Sequence, residues 1–164
     1  MHIPLLLWAL LALAPQQPGA DSAHIPDFDI SLVDGAHFKK SDLKAHTPVM
    51  IVYYSPTCEH CQHFGQTLAD HIGTFKNAQI VMVTFRPVNE VADFTRICHL
   101  NGTPAIIGTE GLTFLVQHHY AVQRFPFVAT YDKHGHLSGI FRDPPAMDTL
   151  VQSLFGKGSP GEVK

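Results

Sequence analysis

The chemistry available to this chain is concentrated in Cys58-Glu59-His60-Cys61, which follows the apolar run Val49-Met50-Ile51-Val52-Tyr53-Tyr54 closely and opens a segment with helical spacing. A thiol in the first turn of a helix meets unpaired backbone N–H groups and the positive end of the helix dipole, which favours its ionised, nucleophilic form. Cys58 is therefore the candidate nucleophile. A second thiol three residues on, Cys61, can attack a mixed disulfide formed at Cys58, release the partner and leave a Cys58–Cys61 disulfide. Half of a four-thiolate zinc site, or a plain buried disulfide, would use the same spacing. The only other cysteine is Cys98, so no second pair exists to complete such a zinc site.

A reactive pair needs a rigid support, and the hydrophobic pattern supplies one. Val49 to Tyr54 is apolar throughout, as in a strand buried on both faces, and it aims Cys58 at the C-terminal edge of a sheet. Phe64, Leu68 and Ile72 recur at four-residue steps and predict a helix from about Cys58 to Phe75. Gln79 to Phe85 reads as the next strand. Val88 to Leu100 reads as a second helix with Val91, Phe94, Ile97 and Cys98 inward, ended by Asn101-Gly102. Cys98 on that inward face is expected to be a buried, inert thiol. The strand-helix-strand-helix order implies parallel pairing.

Ala105 to Ile107 is a short strand, and Leu112 to Tyr120 has helical spacing. Phe127 to Tyr131 and Leu137 to Phe141 form a hairpin about Asp132-Lys133-His134-Gly135, and Ala146 to Phe155 makes a last helix. Ahead of all this, residues 26–38 alternate polar and apolar about Asp34-Gly35, as a β-hairpin does. The class is α/β: a central mixed sheet flanked by helices, with an N-terminal β-hairpin.

At 164 residues, 45% hydrophobic and 15% charged, the chain has room for one domain with a sizeable core. A formal charge of −3 with scattered acids and bases offers no basic stripe, which excludes nucleic acid as a partner. Residues 4–14 form an apolar stretch too short to span a bilayer comfortably, followed by small and Pro-rich sequence up to Gly19-Ala20. Residues 1–20 therefore read as a signal peptide, 24–156 as the folded domain, and 157–164, rich in Gly, Pro and charge, as a flexible tail. If the apolar segment stays uncleaved it tethers the protein to a membrane. Export, periplasmic or otherwise, places the cysteines where disulfides persist.

In this order of elements the sequence resembles the thioredoxin fold and, within it, exported redoxins related to cytochrome-maturation thioredoxins. Three segments carry the resemblance, which covers about residues 25–155: Pro26-Asp27-Phe28 through Asp34-Gly35 to Ser41-Asp42-Leu43-Lys44; Tyr54-Ser55-Pro56-Thr57-Cys58-Glu59-His60-Cys61; and Arg124-Phe125-Pro126-Phe127-Val128-Ala129-Thr130-Tyr131-Asp132 with Gly135. The resemblance implies a thioredoxin-like thiol–disulfide oxidoreductase without a cofactor, acting on protein thiols and disulfides and recharged by a redox partner protein. It also implies that Pro126 is cis and lies beside the cysteines, leaving the Phe125 backbone free to pair with an extended substrate strand. On the residues alone, Pro126 is simply a proline at the start of a strand.

The departures from the family pattern bear on proton handling and substrate. Thr57 stands where Trp is usual, Val52 where thioredoxins bury an acid six residues before the first cysteine, and Phe125 where the residue is usually small or β-branched. Glu59, His60 and His63 are then the candidates for tuning and proton transfer. His60 favours the Cys58 thiolate and Glu59 opposes it, while the Glu at this position also occurs in redoxins that act as reductants. Twelve histidines raise copper handling as a rival reading, with His134 or His136 as a ligand. At about 100° per residue, however, His60 and His63 face largely away from Cys58 and Cys61, so no metal site is assigned. A third reading is a non-enzymatic binding module in which the cysteine pair only holds the fold together.

Overall fold

The computed structural model describes residues 23–156. The expected signal peptide over residues 1–20 and the tail over 157–164 lie outside the described residues. Seven strands, β1 (Asp29–Leu32), β2 (His37–Lys39), β3 (Val49–Tyr53), β4 (Gln79–Thr84), β5 (Ile106–Thr109), β6 (Phe127–Tyr131) and β7 (Leu137–Phe141), form one sheet in the order β2-β1-β5-β4-β3-β6-β7. The β3-β4-β5 centre is parallel, and the two hairpins join it antiparallel, through β1 on β5 and β6 on β3. The hairpin turn uses Gly35 at φ 84°, a conformation that glycine adopts without steric cost.

Four helices cover the sheet: α1 (Glu59–Asp70), α2 (Val88–Ile97), α3 (Leu115–His119) and α4 (Met147–Phe155). Strand alternation divides the core in two. Met50, Val52 and Tyr54 pack with α1, α2 and α4 on one face, while Val49, Ile51 and Tyr53 pack with Val116 of α3 and Tyr120 on the other. Phe64 and Leu68 anchor α1 to the first face, each burial contributing about 1.5–3 kcal/mol. Among the described residues no helix is long and apolar enough to cross a membrane.

Three predicted helices are shorter than their periodicity. The one expected over Val88 to Leu100 ends at Ile97, which is exposed rather than inward, with Cys98 as its C-cap and His99 left-handed at φ 58°. The segment from Cys58 to Phe75 stays α-helical only to Asp70 and finishes as a 3-10 turn at Ile72–Phe75. The His71 N–H there is shared between the Thr67 and Leu68 carbonyls, both at 3.2 Å, which tightens the last turn, and the His71 ring contacts the Thr67 carbonyl at 2.9 Å. The segment from Leu112 to Tyr120 is broken at Phe114, whose φ of 49° is left-handed, between a 3-10 turn at Gly111–Thr113 and α3.

Candidate functional site

All five residues of β3 are buried, and the strand ends against a fixed partner, with the Tyr54 N–H donating to the Val83 carbonyl at 3.0 Å. The chain then turns through Ser55-Pro56-Thr57. The Cys58 N–H closes this turn onto the Ser55 carbonyl at 3.1 Å, and the Gln62 side chain donates to the Pro56 carbonyl at 2.9 Å. Cys58 is the N-cap residue of α1 with extended backbone (φ −84°, ψ 122°), and its carbonyl accepts the first helical bond from the Gln62 N–H at 3.0 Å. Its side chain makes no capping bond and is half-buried.

Cys61, one turn on, faces inward and is 1% exposed. The Ser55 N–H points at its sulfur at 3.5 Å. Burial pushes the Cys61 thiol up to about 12; the Ser55 N–H draws it down, and the Cys58 and Cys98 thiols push it further up. The two cysteines therefore differ in access: Cys58 is partly open to solvent and Cys61 is closed off from it. Glu59, His60 and His63 are exposed on the outer side of α1. The structure thus separates these three from the buried side of Cys61.

Phe125 and Pro126 come to the same edge of the sheet through pairing. Antiparallel β6 opposes Phe127 to Tyr53, so the residues just before β6 meet the chain just after β3. The Phe125–Pro126 bond is cis. Pro126 is buried, and Phe125 is half-buried with its ring 5.9 Å from that of Tyr53 and 6.2 Å from that of Phe85. Among the described residues no group of three or more His, Cys, Asp or Glu side chains could hold a metal ion; the His134 and His136 rings lie 6.1 Å apart near Asp132.

The thioredoxin family model matches residues 29–123. The chain belongs to the thioredoxin family. Solved structures with the same fold include a secreted Mycobacterium tuberculosis disulfide oxidoreductase homologous to E. coli DsbE (19% identity, 77% of this chain and 93% of that one, TM-score 0.65). Others are MTB dsbF (19%, 82% and 96%, TM-score 0.64) and the peroxidoxin BcpB from M. tuberculosis (16%, 83% and 96%, TM-score 0.69). No curated protein matches the sequence.

Within this thioredoxin-family domain, two features went unread in the sequence. The first is a buried carboxylate, Glu110, which accepts from the Tyr53 hydroxyl at 2.6 Å and from the Val116 N–H at 2.8 Å. It belongs to the face of the sheet opposite the cysteines, and no local spacing announces it. The second lies behind the cysteines. Tyr54 is fully buried with its ring 4.3 Å from that of Phe94, and Cys98, one turn beyond Phe94, donates its S–H to the Gln62 carbonyl at 3.5 Å. Cys98 is 0% exposed, as its helical spacing leads one to expect, and burial pushes its thiol up to about 11; what the spacing does not show is its place beside Tyr54. The signal for Tyr54 was the period of two along β3, which puts it on the same face as Val52.

The close approach of α2 to α1 depends on Gly65. A Cβ there would lie 2.9 Å from the Cys98 sulfur and 3.0 Å from a Phe94 ring carbon. The missing side chain is what lets the third thiol sit against the first turns of α1.

Proposed function

We propose that the protein is an exported thiol–disulfide oxidoreductase that exchanges electrons with partner proteins through Cys58 and Cys61 and works as a reductant. The observation that carries this reading is the unequal access of the two thiols at the start of α1: Cys58 half-buried at the N-cap, Cys61 1% exposed behind it. Cys58 attacks a substrate disulfide, forming a mixed disulfide and expelling one substrate thiolate. Cys61 then attacks Cys58, expels the second substrate thiolate and closes the Cys58–Cys61 bond. A redox partner protein returns the pair to the dithiol.

Phe125 and Pro126 shape the groove for an extended substrate strand, which pairs with the Phe125 backbone. Glu59, His60 and His63, on the exposed side, tune Cys58 and exchange protons with solvent. Export follows from the apolar segment at residues 4–14, and an uncleaved segment would hold the domain at a membrane.

The test is dithiol-driven reduction of a disulfide-bonded protein. Cys58→Ser abolishes it, and Cys61→Ser accumulates mixed disulfides that resolve on gel electrophoresis without reductant. Full turnover by either variant would refute this division of roles.

A further inference from the structure

Resolution requires a thiolate at Cys61, and the surroundings of Cys61 oppose one. Its sulfur is buried, and the one backbone donor that reaches it is the Ser55 N–H at 3.5 Å, a single hydrogen bond for a group that as a thiolate can accept more. Cys98 is not placed to help, because its S–H is directed at the Gln62 carbonyl. A buried anion in such a place needs a further donor.

Tyr54 has that donor to spare. Its hydroxyl is the one buried side-chain polar atom without a hydrogen-bond partner among the described residues, and the residue is 0% exposed. Unpartnered buried hydroxyls are rare because they cost folding energy that a phenylalanine would avoid. Strand alternation sends this side chain to the cysteine face, where it shares one cluster with Cys61, Phe94 and Cys98. The Phe94 ring lies tilted against its ring at 4.3 Å, and Cys98 reaches across to α1 at Gln62, the neighbour of Cys61. Burial first, then the nearby Cys98 and Cys61 thiols, push the ionisation of Tyr54 upward, so its proton stays in place. The titratable groups facing this hydroxyl are Cys61 from α1 and Cys98 from α2, while α4 contributes Met147, Leu150 and Leu154 to the cluster.

We propose that the Tyr54 hydroxyl donates the hydrogen bond that holds the Cys61 thiolate during resolution of a mixed disulfide at Cys58. The inference rests on the oxidoreductase reading above. In the step, Cys61 gives its proton to solvent and its thiolate attacks the Cys58 sulfur. The Cys58–Cys61 bond forms as the bond from Cys58 to the partner sulfur breaks; that sulfur leaves as a thiolate and takes a proton from solvent. Tyr54 keeps its own proton throughout, and in the resting dithiol its hydroxyl makes no hydrogen bond.

The experiment loads Cys58 with a chromogenic aromatic thiol as a mixed disulfide and follows its release in a single turnover, in the wild-type protein and in Tyr54→Phe. The rate at which Cys58 takes up the label serves as the reference for general damage to the site. Release is expected to slow about ten- to hundredfold in Tyr54→Phe at each pH from 7 to 9, with the slope against pH preserved and with thermal stability equal to or above wild type. Release at the wild-type rate from folded Tyr54→Phe would overturn the proposal. Failure of Tyr54→Phe to fold would overturn it as well, because a hydroxyl without a partner contributes nothing to folding. Absence of release from the wild-type protein would instead refute the oxidoreductase reading itself.

Discussion

The depth of Cys61 fixes how the resolving step must respond to pH. Burial, the first cause and one that persists when Cys58 is held in a mixed disulfide, pushes this thiol from an ordinary 9.0 up to about 12 in the free dithiol, so near neutral pH its thiolate is up to about a thousandfold scarcer than that of an ordinary cysteine. A more basic thiolate is also a better nucleophile, by about 15- to 30-fold over such a shift. The net handicap is therefore at most about 30- to 70-fold, which the fixed position of Cys61 one turn from Cys58 must offset. Below its titration point the thiolate population rises tenfold per pH unit. Release of a chromogenic thiol from Cys58, with Cys61→Ser subtracted as the hydroxide background, should rise about tenfold per unit from pH 6. It should still be climbing at about pH 9.5, where a thiol at 9.0 has levelled off. A plateau at or below pH 9 would refute the assignment of a buried, raised thiol to Cys61.

Further consequences follow from the packing. Gly65→Ala gains about 1 kcal/mol of helix propensity but drives a methyl group into the Cys98 sulfur and the Phe94 ring, and overpacking of this kind costs about 1–3 kcal/mol. Denaturant unfolding should show a net loss, partly recovered by adding Cys98→Ala; a stabilised single variant would mean that α2 does not press on α1 as described. Tyr53→Phe and Tyr54→Phe should behave oppositely. The first strips a 2.6 Å bond from buried Glu110 and is expected to cost about 1–3 kcal/mol, whereas the second removes a hydroxyl with no partner and should cost nothing. Equal losses in thermal unfolding would refute the contrast between the two faces.

How much of this was legible in the sequence depends on the range of the forces involved. The uniform apolar run from Val49 to Tyr54 announced a strand buried on both faces, and β3 has that form. Asp34-Gly35 announced the hairpin, and Cys98 at helical spacing from Phe94 and Val91 announced an inward thiol; both are local patterns. Phe114 was not legible. Leu112, Leu115, Val116 and Tyr120 keep helical spacing, yet Glu110 draws the Val116 N–H and the Tyr53 hydroxyl onto one carboxylate, a contact across 57 residues that no window contains. The site was partly legible for the same reason. The spacing of Cys58 and Cys61 is local, whereas the meeting of Tyr54, Cys61 and Cys98 needs the sheet and two helices to be in place. Glu59, His60 and His63 are near the cysteines in sequence, and the helix turns them outward.

An oxidoreductase of this kind requires Cys58 and Cys61 to form a reversible two-electron couple. An equilibrium redox titration of the domain against glutathione or dithiothreitol buffers, with both thiols read by alkylation and mass spectrometry, tests it most directly. One reversible transition is expected, in which Cys58 and Cys61 lose and regain alkylation together while Cys98 stays a thiol. Its midpoint should lie near the reducing value of thioredoxin, about −270 mV, rather than near the strongly oxidising −120 mV or so. A pair that never closes, or a disulfide that opens only when the domain unfolds, would contradict it.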